Sequence, residues 1–115
     1  MTRNPIFCAI DTNDIHKATS LLTDIAPHIG GIKVGLEFFT SLGIKGIEEI
    51  KKFNKPLFID LKLYDIPNTV TAALRNILAL KPEYTTLHIS GGRRMLENCV
   101  KEKIKANSST KLIGV

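Results

Sequence analysis

Short apolar runs alternate along this chain with longer stretches in which apolar residues return every three or four positions. The runs are IFCAID (6–11), IKVG (32–35), LFIDLK (57–62), TLHIS (86–90) and KLIGV (111–115). Runs of this length between helical patterns predict strands. Ile15, Ala18, Leu22 and Ile25 share one helical face behind the cap candidates Thr12 and Asn13, and Pro27 closes the segment. Val70, Ala73, Leu74, Ile77 and Leu78 form a second stripe, opened by Pro67 and Asn68 and stopped before Pro82. Met95, Leu96, Cys99, Val100 and Ile104 form a third, behind a turn at Gly91 and Gly92. Gly43 and Gly46 interrupt the helical pattern of 36–53, which predicts two pieces there or one bent helix.

The order is therefore β-α-β-α-β-α-β-α-β. Near-continuous apolar strands separated by helices predict an α/β fold with a parallel sheet covered by helices. No linker or internal repeat divides the 115 residues, so 1–115 is expected to be a single domain.

Composition narrows the function classes. No apolar run approaches the roughly 20 residues of a membrane span, and MTRNPIFCAIDTND contains no apolar stretch leading to a small-residue cleavage site. A cytoplasmic protein is expected, with no membrane partner. Cys8 and Cys99 have neither metal-ligand spacing nor disulfide-scaffold density, and read as unpaired, buried small apolar residues. The formal net charge is +5, but Lys51, Lys52, Lys101, Lys103 and Lys105 fall on predicted helix surfaces instead of forming one basic cluster. With 6% aromatic residues and no Trp, a base-stacking platform has few residues to build with, so no nucleic-acid partner is expected.

Charge placement points to chemistry. Functional groups of parallel α/β folds gather at the C-terminal ends of strands, where loops are free to carry them. Asp11, Lys33, Asp60 and Lys62, with Asp65 in the following loop, all fall near predicted strand ends, as do His88 and Ser90. Asp60 and Lys62, two apart in a strand, face the same way and balance each other's charge. Each residue alone reads as an ion pair or a helix cap. Together they predict one rim of alternating carboxylate and ammonium groups, an arrangement with little stability rationale. SGGRR (90–94) could hold an anion at a helix start, but a Gly-Gly turn into a helix is chiefly backbone geometry. His16, His28 and His88 receive no role.

DLKLYDIPNTV (60–70) resembles the signature of the orotidine 5'-phosphate decarboxylase family, in its bacterial form. AIDTND from Ala9, KVGLEFF from Lys33, HISGG from His88 and the terminal LIGV resemble its further landmarks, in order, over essentially the whole chain. Leu63 and Tyr64 stand where Phe and His are frequent, and neither change touches a charged group. The resemblance implies a (β/α)8 TIM-type barrel, here its N-terminal half with about five parallel strands and four helices. It also implies a lyase of UMP synthesis that needs no metal or organic cofactor and works as a homodimer. On it, Asp11 and Lys33 would bind the ribose hydroxyls and Lys62 would give a proton to C6 of the pyrimidine. Asp60 would sit against the departing carboxylate. Asp65 and Thr69 would reach into the neighbouring subunit's site, with Ile66 as apolar wall.

A complete barrel needs eight β/α units and roughly 250 residues. The family's phosphate grip, an Arg with backbone amides after strands seven and eight, has no counterpart here, and neither has its base-bridging Gln. The truncated chain alone is thus expected to show little or no turnover and to expose sheet edges. A related group, decarboxylases and aldolases of keto-sugar phosphates, shares Asp-x-Lys-x-x-Asp but looks for a Glu after strand two to help hold Mg2+. Lys33 stands near that strand end instead. A non-catalytic half-barrel fragment is the remaining alternative.

Overall fold

The computed structural model describes residues 3–115. Contacts group the chain into two units that meet between Phe58 and Ile59. The first holds β1 (Phe7–Ala9), α1 (Ile15–Ile25), β2 (Gly31–Val34), α2 (Leu36–Lys51) and the first two residues of β3 (Leu57–Leu63). β1 and β2 are parallel, with Phe7 opposite Gly31 and Ala9 opposite Lys33. The amide of Ile32 donates to the carbonyl of Pro56 at 2.9 Å, which brings the approach to β3 alongside β2.

β1 is shorter than the expected 6–11. Ile10 still donates to the Lys33 carbonyl at 2.8 Å, but Asp11 lies beyond the strand and is exposed. The chain is already turning there, because the Thr12 hydroxyl accepts from the Asp14 amide at 3.2 Å. Asp14, and neither Thr12 nor Asn13, caps α1. It stands in extended backbone immediately before the first helical residue, and its Oδ1 accepts from His16 N at 2.8 Å and Lys17 N at 3.3 Å. The Lys17 and His16 amides hold its carboxyl below the usual range, Lys17's contributing most. Ala18 and Leu22 form the buried face of α1. α2 bends at Gly43, whose φ of 59° and ψ of −155° are open to glycine alone, as the interrupted pattern predicted.

The second unit contains the rest of β3, then α3 (Pro67–Ala79), β4 (Tyr84–Leu87), α4 (Arg93–Lys105) and β5 (Lys111–Gly114), with strand order β3-β4-β5. β4 and β5 are parallel, Tyr84 opposite Lys111 and Leu87 opposite Gly114. Val70, Leu74, Leu78, Leu87, Met95 and Cys99 form a core where α3 and α4 meet the sheet. Burial of a large apolar side chain contributes roughly 1.5–3 kcal/mol, so this cluster supplies much of the unit's cohesion.

Three expectations need correction here. β4 begins two residues before the predicted 86–90 and ends before His88, and Ile89–Gly91 is a 3-10 turn. Thr85 thus joins Thr86 in the strand, and both are buried with their hydroxyls hydrogen-bonded. The inner face of α4 is rotated from the expected stripe: Val100 is 47% and Ile104 71% exposed, while Glu102 is buried. Arg75 on α3 explains the exchange, its Nε donating to Glu102 Oε1 at 2.6 Å. That guanidinium holds the Glu102 carboxyl below its ordinary range against the opposing effect of burial. Both cysteines are free, but only Cys99 is buried; Cys8 is half-exposed. Burial pushes the Cys99 thiol up, and the charge of Glu102 adds to the effect.

Candidate active site

β3 is the strand that carries charge out of an apolar run. Leu57, Ile59 and Leu61 are buried as a core strand requires, and Asp60 between them is buried as well. A buried carboxylate is costly without partners. Asp60 has them: Lys62 Nζ lies 2.9 Å from each carboxylate oxygen, and the Thr86 hydroxyl donates to Oδ1 at 2.8 Å. The lysine side chain remains 46% exposed against 9% for the aspartate, so the ammonium faces solvent while its counter-ion is anchored beneath it. The two side chains thus meet at the end of β3, the encounter that their two-residue spacing predicted.

The backbone at Lys62 is unusual. Its φ is 50°, in the left-handed region, although β3 continues past it to Leu63. That conformation costs a non-glycine residue on the order of 1–2 kcal/mol. The Lys62 amide donates to the Thr86 hydroxyl at 2.9 Å, and backbone pairing resumes beyond it where His88 N donates to the Leu63 carbonyl at 3.0 Å. Sequence reasoning did not single out Thr86. A threonine two residues before a histidine carries no signature of its own, and only strand pairing brings it to Asp60.

The remaining candidates of this unit lie in the loop and first turn after β3. Asp65, Ile66 and Thr69 are all exposed, Ile66 at 66%. Asp65 Oδ1 accepts from the Ile66 amide at 2.6 Å. Tyr64, Asp65, Ile66, Pro67 and Gly91 line a shallow cavity of about 480 Å3. His88 packs edge-on against Tyr64, ring centroids 5.5 Å apart, in keeping with a structural histidine. Gly92, at φ 90°, is the residue before α4, and Arg93 lies 3.6 Å from Glu97, so SGGRR behaves as a backbone turn. In the first unit, Lys33 is a half-buried residue of β2 and Asp11 is exposed after β1. A larger cavity, about 520 Å3, lies elsewhere, at the C-terminal ends of α3 and α4 and the approach to β5.

A model of the orotidine 5'-phosphate decarboxylase / HUMPS family matches residues 4–115, a span that includes the paired Asp60 and Lys62 and the IPNTV that opens the next helix. The chain belongs to this family. It is 50% identical over 112 residues to an orotidine 5'-phosphate decarboxylase of the Wolbachia of Brugia malayi, covering 97% of this chain and 49% of the relative. The corresponding enzyme of Ehrlichia chaffeensis is 44% identical over 115 residues, again across 49% of its length. Among solved structures, the orotidine 5'-monophosphate decarboxylase of Methanocaldococcus jannaschii, complexed with the inhibitor BMP, superposes with a TM-score of 0.86 at 27% identity, over 99% of this chain and 52% of that one. The fold is α/β, the N-terminal half of a (β/α)8 barrel. The chain spans about half the length of the curated relatives it matches.

Proposed function

We propose that the protein carrying this chain is a lyase that decarboxylates orotidine 5'-phosphate to UMP and CO2 in pyrimidine biosynthesis, acting in the cytoplasm. The observation that carries the reading is the Lys62 ammonium fixed 2.9 Å from both oxygens of a buried Asp60, inside the family's motif. In the proposed reaction the bond between C6 and its carboxylate breaks, CO2 leaves and the electron pair remains on C6. That ring carbon has no ordinary electron sink, so a fixed positive group beside it lowers the barrier. Lys62 supplies that charge and then transfers a proton from Nζ to C6, giving UMP; solvent returns the proton to the lysine. Asp60 keeps the ammonium aimed and charged. Neither metal nor organic cofactor enters these steps.

Asp11 and Lys33 are assigned to the ribose hydroxyls. Asp65, with Ile66 and Thr69, is assigned to the neighbouring site of a homodimer. The exposure of all three supports that assignment, Ile66 in particular being a large apolar side chain open to solvent. Neither nucleic acid nor membrane enters as a partner.

The test supplies residues 1–115 with the C-terminal half of the Wolbachia relative, fused or mixed, and measures CO2 release from orotidine 5'-phosphate. Turnover should appear and persist in chelator, and Lys62→Ala should lower it by about 10^2- to 10^4-fold, the usual contribution of a positioned proton donor. Turnover by Lys62→Ala at the parent rate would remove the assignment. Activity on a keto-sugar phosphate, abolished by chelator, would instead favour the related group that shares Asp-x-Lys-x-x-Asp.

A further inference from the structure

We infer that Thr86 is a positioning residue that sets both the backbone of Lys62 and the carboxylate of Asp60, an inference resting on the reading of Lys62 as proton donor. Its hydroxyl does two things at once. It accepts from the Lys62 amide at 2.9 Å and donates to Asp60 Oδ1 at 2.8 Å. A hydroxyl has one proton to give, so donation to Asp60 fixes its rotor and leaves its lone pairs for the amide. The three groups form a closed ring: Asp60 to Thr86, Thr86 to the Lys62 amide, and the Lys62 ammonium back to Asp60. Thr86 is 3% exposed, so water does not compete for either bond.

The ring explains the left-handed φ of 50° at Lys62. An L-residue persists there only where its surroundings over-determine it. The amide is held by a side chain on β4, and the carboxylate that aims the ammonium is gripped by the same oxygen. Loss of that oxygen frees the backbone and the carboxylate together. Thr86→Val keeps the shape and removes both bonds; Thr86→Ser keeps both bonds and removes a methyl group.

Amide hydrogen exchange of the 115-residue chain, read by NMR, tests the inference without substrate. The Lys62 amide should be protected in the parent and in Thr86→Ser, and should exchange at least about tenfold faster in Thr86→Val while the amides of β5 keep their rates. Unchanged exchange at Lys62 in Thr86→Val overturns the inference, and so does a Thr86→Ser chain that behaves like the valine variant. Should Thr86→Val fail to fold, the other two chains decide: a parent Lys62 amide exchanging like an unstructured peptide overturns it, and protection retained in Thr86→Ser upholds it. In the completed barrel, Thr86→Val should lower kcat with little change in KM, and serine should restore it. If Lys62→Ala leaves turnover intact while the exchange result stands, the donor assignment fails and the clamp does not.

Discussion

At φ 50°, Lys62 sits where the Cβ of an L-residue crowds the backbone, and glycine would not. Two substitutions separate the backbone from the side chain. Lys62→Ala and Lys62→Gly both remove the ammonium and leave Asp60 with the same loss, so their difference reports the backbone alone. The glycine variant should be the more stable by about 1 kcal/mol in urea unfolding, although glycine ordinarily destabilises a strand. The alanine variant proving equal or better would mean that position 62 does not hold a left-handed backbone in solution. Both should lose turnover alike, because the proton donor is gone from each. Strain of this kind at the residue assigned to chemistry is consistent with a site held by its neighbours.

At the scale of elements, α3 and α4 are joined by an apolar core and by one ion pair. Leu74 is fully buried in that core, so Leu74→Ala should cost about 2–5 kcal/mol, measured as a lower urea midpoint with unchanged slope. The pair of Arg75 and Glu102 makes the contact pH-dependent. The folded-state carboxyl of Glu102 lies below its ordinary 4.5, so its contribution is fully present above that value and is lost as pH falls through the lowered folded value. Arg75→Gln removes the cause of the lowering, its hydrogen bond and charge. The stability difference between parent and Arg75→Gln should therefore be constant near neutrality and shrink as pH falls through the carboxylate range. A gap that instead widened with acidification would contradict the assigned pairing. These elements were legible from periodicity: all three stripes became helices, with the bend in the 36–53 segment at Gly43. Their ends were less so. Asp14 outcompeted Thr12 and Asn13 as a cap because the turn after β1 uses the Thr12 hydroxyl first.

For the whole molecule, the decisive fact is that the chain aligns with about half the length of the Wolbachia and Ehrlichia relatives. In the proposed reaction, binding of the remote phosphate supports the transition state at the base. Residues 1–115 assayed alone should therefore show decarboxylation far below that of the same chain supplied with a C-terminal half, measured as CO2 release at equal concentration. β5 has a strand neighbour on one side only among the described residues, and Ile113 and Val115 are exposed beside it. Unpaired strand edges template further pairing, so the chain alone should also associate as concentration rises, seen in sedimentation, and the added half should suppress this. Equal turnover with and without that half would show that the site needs nothing beyond these residues.

Periodicity and motif are local properties, and they were enough for the α/β order, for the strand that ends in Asp60 and Lys62, and for the pairing of those two on one face. A spacing of two at a strand end predicts facing from extended backbone alone; that the ammonium reaches the carboxylate from a left-handed backbone was settled by the fold. Thr86, Glu102 and the left-handed turn at Lys62 were decided by tertiary structure, because each depends on a partner 24 to 27 residues away in sequence. A buried threonine or glutamate reads as a surface residue until the strand or helix beside it supplies the hydrogen bond that makes its burial tolerable.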